Sequence, residues 1–134
     1  MNKTAMKYTD IDWTRTDEIT GTEAKKLAAV ARNGYNIRFI YDPSEAVQLA
    51  AVAEDGYSIQ FIHAPSESVQ LEAVTQYGCS IQYIPNPSEK VQLAAVEQAG
   101  YSIQFIHDPS EAVQLAAVKQ SGDSIRFFKA AWKK

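Results

Sequence analysis

Two histidines, one cysteine and sixteen carboxylates are the side chains of this 134-residue chain suited to moving protons, holding a metal or attacking a carbonyl. An imidazole can serve as a general base, and a thiol activated by such a base is a nucleophile. Their spacing speaks against both uses. His63 and His107 hold equivalent positions two 22-residue units apart, and Pro85 takes that position in the unit between them. Stacked helical units advance by roughly 10 Å each, which puts the two imidazoles about 20 Å apart. They cannot share a metal over that distance, and both read as surface residues. Cys79 stands where Tyr57 and Tyr101 stand in the flanking units. It reads as a partly buried thiol in an aromatic site, with no adjacent histidine to activate it. The carboxylates recur at helix starts, where they cap rather than catalyse. No phosphate loop, dinucleotide fingerprint or metalloprotease pair is present. The expectation is a non-enzymatic protein with no catalytic residue, no metal site and no cofactor.

The elements that must carry these residues follow from one period. Gly34, Gly56, Gly78, Gly100 and Gly122 are each 22 residues apart, as are Leu27, Leu49, Leu71, Leu93 and Leu115. Val30, Val52, Val74, Val96 and Val118 keep the same spacing, and so do Ile37, Ile59, Ile81, Ile103 and Ile125. One unit reads DPSEAVQLAAVAEDGYSIQFIH, residues 42–63. Five units, 20–41, 42–63, 64–85, 86–107 and 108–129, follow without insertion. Self-similarity at a fixed short period marks a repeat array. The reading is a single repeat domain over 1–134, with an N-terminal cap over 1–19 and a tail over 130–134.

Each unit opens with a helix. Asp42-Pro43-Ser44-Glu45 reads as a cap acceptor, a proline at the first helical position and a glutamate at the third, which is a capping box. Asn86 to Glu89 and Asp108 to Glu111 repeat it, and Thr20 to Glu23 is a variant without the proline. Ala64 cannot accept a cap bond, so its helix is expected to start less firmly, by roughly 1 kcal/mol. Positions 45, 48, 49 and 52 share one face, with 47 and 51 beside it. Gly56 then reads as a C-terminal stop in the left-handed conformation. The second half, Tyr57 to Ile62, fits two periods. Tyr57, Ile59 and Phe61 alternate as in a strand, while Ile59 and Ile62 have helical spacing. The preferred architecture is all-α, a short right-handed two-helix-repeat solenoid of five 22-residue units. The alternative is an α/β horseshoe with a helix and a short strand per unit.

The stretches Val47 to Gly56 followed by Ser58-Ile59-Gln60-Phe61, Val69 to Gly78 and Val91 to Gly100 resemble a family of short bacterial and phage repeats of unknown function. Those repeats join a helix to a short apolar helix bearing a glutamine–aromatic pair. The resemblance covers residues 20–129. It implies an α-helical array, no transferable catalytic residue and a phage-type inhibitor or adaptor role.

End units of an array differ from middle ones. Lys25 and Lys26 replace Val47 and Gln48 in unit one, and Tyr8, Ile11 and Trp13 are placed to cover it. Phe127, Phe128 and Trp132 are placed to close the last unit. Gln48, Gln70, Gln92 and Gln114, with Ser58, Ser80, Ser102 and Ser124, are expected to tie loops to neighbouring units by hydrogen bonds. Residues 42–111 contain ten acids and one base, a net charge of −9, whereas residues 119–134 carry +4. An acidic body steers basic partners. The whole chain has a net charge of −3, which makes nucleic acid an unexpected partner. No apolar window reaches the roughly 20 residues that span a bilayer, and one cysteine suits a reducing cytoplasm.

Invariant positions build a scaffold, so the variable ones carry specificity. Asp55 and Tyr77 precede glycines, Glu97 lies two residues further back, and Glu54 and Glu72 add charge. These five, Glu54, Asp55, Glu72, Tyr77 and Glu97, form the expected partner-binding set. The first functional expectation is a non-enzymatic protein–protein interaction module. The alternative is a structural or self-associating repeat protein, its acidic body stacking on a basic tail.

Overall fold

The computed structural model describes residues 19–127, and every unit contains the same two helices. Five ten-residue α-helices, α1 (Glu23–Arg32), α2 (Glu45–Glu54), α3 (Glu67–Gln76), α4 (Glu89–Gln98) and α5 (Glu111–Gln120), form one layer. Five six-residue 3-10 helices, Gly34–Phe39, Gly56–Phe61, Gly78–Tyr83, Gly100–Phe105 and Gly122–Phe127, form the other. No strand occurs among the described residues, so the chain is an all-helical repeat solenoid and not a helix-plus-strand horseshoe. Each α-helix touches only its neighbouring α-helices and the 3-10 helices before and after it. Such nearest-neighbour packing defines a solenoid. The expected caps Tyr8, Ile11, Trp13, Phe128 and Trp132, and the side chain of Phe127, lie outside the described residues.

The helix start differs from the expected one by two residues. Ser44, not Asp42, is the N-cap of α2, and its hydroxyl accepts the Val47 N–H at 3.2 Å. Ser66, Ser88 and Ser110 cap α3, α4 and α5 in the same way, and Thr22 caps α1. The proline therefore precedes the cap, and the glutamate is the first helical residue rather than the third. It does not close a box within its own turn. Glu45 Oε2 accepts the Ser66 hydroxyl of the next unit at 2.9 Å, and Glu67 and Glu89 do the same for Ser88 and Ser110. Glu23 pairs likewise with Ser44. Each serine thus caps its own helix and anchors it to the preceding one.

Asp42, Ala64, Asn86 and Asp108 have a different task. Their φ angles of 49°, 50°, 53° and 54° place them in the left-handed region. Aspartate and asparagine tolerate that region better than alanine does. The weak point at Ala64 is therefore its backbone, because α3 is capped like its neighbours. Ala64→Asn is expected to raise the unfolding free energy by about 1 kcal/mol, readable as a higher midpoint in urea denaturation.

The glycines also differ from expectation. Gly56 has no left-handed conformation; α2 ends at Asp55 in an extended conformation, and Gly56 begins the 3-10 helix. A side chain is excluded there by close approach. A Cβ on Gly56 would lie 2.5 Å from the Ala73 carbonyl oxygen of the next unit. Beyond it, Gly56, Ile59 and Ile62 recur every three residues and are all buried. Three residues per turn is the 3-10 repeat, which brings all three onto one side facing the α layer. The strand alternation fails at Ser58, which is fully buried.

The α-helix stripe in the core is Val47, Ala51 and Val52, all fully buried, with Gln48 and Leu49 half-buried and Glu45 exposed. The expected face of 45, 48, 49 and 52 is thus rotated toward 47 and 51, because each helix is covered by flanking units as well as by its own 3-10 helix. Val69, Val91 and Val113 repeat Val47, whereas Lys25 takes that register in α1 and is exposed. At the other end Ile125 is 52% exposed against 1% for Ile103, and Leu115 is 65% exposed.

The invariant polar residues divide. Gln48, Gln70, Gln92 and Gln114 each donate Nε2 to a proline carbonyl at 3.0 Å. That proline lies in the same unit, so these glutamines brace their own turn instead of tying neighbours. The hydroxyls of Ser58, Ser80 and Ser124 are buried without a hydrogen bond. Ser58 Oγ sits against Gly34, where its small size matters. Asn36 holds this register in unit one and donates Nδ2 to the Ala29 carbonyl at 2.9 Å.

Candidate partner-binding edge

The C-termini of the α-helices and the starts of the 3-10 helices line one long edge of the solenoid. The residue before each glycine belongs to both elements, ending one helix and capping the next. Asn33 and Asp55 perform the second job with their side chains, accepting the N–H of Tyr35 and Tyr57 at 3.0 Å. Tyr77 and Ala99 make no such bond. A missing side-chain cap costs about 1 kcal/mol. At Tyr77 the sequence accepts that loss and presents a ring that is 48% exposed.

Four of the five expected residues, Glu54, Asp55, Tyr77 and Glu97, lie along this edge. Glu72 lies one turn back on α3, where it accepts Gln76 Nε2 at 3.0 Å. Two of the acids also serve the architecture. Glu54 Oε1 accepts the Gly34 N–H at 2.6 Å, binding unit two to unit one, while Asp55 caps its own 3-10 helix. Gln98 and Gln120 repeat the Glu54 bond to Gly78 at 2.6 Å and Gly100 at 2.5 Å. Glu97 is exposed beside Gln98.

The structure adds residues that the sequence reading did not assign to the site. Tyr77 packs on Tyr57 with ring centroids 5.1 Å apart, and Tyr57 meets Tyr83 edge to face at 5.9 Å. Tyr35 meets Phe61 in the same manner at 5.2 Å. Cys79 interrupts this series, since it offers no ring. Beside it lies a cleft of about 340 Å³ lined by Tyr57, Tyr77, Cys79, Gln98, Tyr101 and Gln120. Tyr101 is 51% exposed. Burial, followed by the nearby Cys79, raises the Tyr57 phenol above its ordinary pKa of 10.0, so it is a neutral wall of the cleft at physiological pH. The sequence signal for these residues is the substitution at Cys79 in a register that holds tyrosine in units one, two and four.

His63 and His107 are exposed, and Cys79 is half-buried with Sγ 3.7 Å from the Ser102 hydroxyl. Among the described residues no group of three histidine, cysteine, aspartate or glutamate side chains is arranged to hold a metal. None of the described helices is long and apolar enough to cross a membrane. Together these features define the class as an all-helical repeat solenoid with an aromatic cleft on one edge. Comparison with family models, curated proteins and solved structures found no match.

Proposed function

We propose that the chain is a non-enzymatic protein-binding solenoid, an inhibitor or adaptor of the phage type, that meets a protein partner along the tyrosine-bearing edge. The observation that carries this reading is Tyr77, where a helix cap is absent and an exposed ring borders a cleft. Exposed, clustered aromatic rings are the surface that partners bury. The acidic body adds electrostatic steering of a basic partner. The lone thiol suits a cytoplasmic setting. Tyr77→Ala, Glu72→Lys and Glu97→Lys are expected to weaken capture of the partner from host lysate, Tyr77→Ala by tenfold or more, in keeping with about 2 kcal/mol for a buried tyrosine anchor. Capture that all three variants leave unchanged would remove this surface from consideration.

A second reading, self-association, is favoured by one observation. Leu115 and Ile125 are exposed on the last unit, and a Cβ at Gly122 would meet nothing within 4 Å. Head-to-tail stacking would press that face against Lys25 of another copy, so an unpaired ammonium opposes it. Mass by light scattering across salt concentrations separates the readings: a monomer at every salt concentration excludes stacking.

A further inference from the structure

We propose that the cleft beside Cys79 receives an arginine side chain from an extended basic segment of the partner, an assignment that rests on the protein-binding reading above. Three features of the edge match that ligand. First, the walls are rings: Tyr57, Tyr77 and Tyr101 surround the place where Cys79 replaces the tyrosine of units one, two and four. A guanidinium is planar, weakly hydrated and stacks on aromatic faces. Second, the cleft is lined by donors for a peptide backbone. The N–H groups of Gly78 and Gly100 must face oxygen, which fixes Gln98 and Gln120 with Oε1 inward. The Nε2 groups of both side chains are then left as donors, suited to the carbonyls of an extended chain. Third, the charge is complementary, since residues 42–111 carry −9, and Asp55 and Glu97 stand on the same edge. The molecule already contains one such stack. The Arg38 guanidinium lies 4.5 Å from the Phe39 ring centre and 5.5 Å from that of Phe61, on the neighbouring 3-10 surface.

Cys79 is the only thiol in the chain, so its alkylation by neutral iodoacetamide reports occupancy of the cleft. The peptide Ac-GRGRGRG-NH2 at saturating concentration is expected to slow that reaction about fivefold or more. Its citrulline counterpart, equal in shape but uncharged, should give no protection, and its lysine counterpart less than half the arginine effect. Tyr77→Ala and Tyr101→Ala should remove the protection. Cys79→Tyr restores the ring of units one, two and four and should keep the urea midpoint. It should weaken binding of the fluorescein-labelled arginine peptide, read by anisotropy, about tenfold. Equal protection by the citrulline or lysine peptide overturns the arginine assignment and leaves the protein-binding reading standing. No protection by any peptide also overturns it. Partner capture that survives Cys79→Tyr but fails in Tyr77→Ala overturns the cleft while retaining the edge. Capture indifferent to both, and to Glu97→Lys, removes the edge as well.

Discussion

Gly56→Ala is expected to destabilise the array by about 3 kcal/mol, an overpacking cost at the upper end of the usual range. The added methyl would lie 2.5 Å from the Ala73 carbonyl oxygen, 3.0 Å from Ser80 Oγ and 3.2 Å from Gln76 Cβ. The nearest of these is backbone, and it belongs to a helix held on its other side by the next unit, so it cannot move away cheaply. Alanine also restricts the unfolded chain, which offsets the loss by less than about 1 kcal/mol. Gly122→Ala is the internal control. Nothing lies within 4 Å of a Cβ there, so the same chemical change is expected to leave stability within about 0.5 kcal/mol of the parent. Urea denaturation followed by circular dichroism measures both. A Gly56→Ala midpoint equal to that of Gly122→Ala would show that the close approach has no energetic weight.

Val91→Lys tests the opposite end of the same logic. Val91 is fully buried on α4, while Lys25 occupies the equivalent register in α1 and is exposed. Burying an unpaired ammonium costs several kcal/mol even when it loses its proton, and about 4 kcal/mol is expected here. Because units touch only their neighbours, the damage should stay at the α3–α4 junction. Hydrogen exchange should therefore show lost protection in α3 and α4 with α1 and α2 still protected. Lys25→Val is the companion substitution and should be tolerated by the monomer. Uniform loss of protection would mean that the array unfolds as one cooperative body.

These contrasts show which features were legible beforehand. The period, the α-helices and the lysines of unit one all follow from residue type at fixed spacing. The exact helix start is ambiguous in the sequence because two capping residues, Asp42 and Ser44, flank one proline. The chain held the clue, since serine stands unchanged at positions 44, 66, 88 and 110, while 42, 64, 86 and 108 vary among aspartate, alanine and asparagine. The invariant position was the cap. Glycine was harder, because left-handed backbone and close approach demand the same residue. The second element was undecided between periods of two and three, and buried Ser58 resolves it in favour of three. At the site, Tyr77 stood out as an aromatic in a variable register. Tyr57 and Tyr101 did not, because a recurring aromatic reads as core until its exposure is known.

The contacts between units also govern how such a chain can change over generations. A serine reaches a glutamate 21 residues back, a glycine N–H reaches a side chain 20 residues ahead, and each buried glycine rests on a carbonyl 17 residues ahead. Inserting one residue within the array would change the separation of every such pair that spans it. A whole unit added or removed disturbs none of them. Length in the array is therefore quantised: it grows or shrinks without loss of these contacts in steps of 22 residues, and each step would extend or trim the edge by one unit.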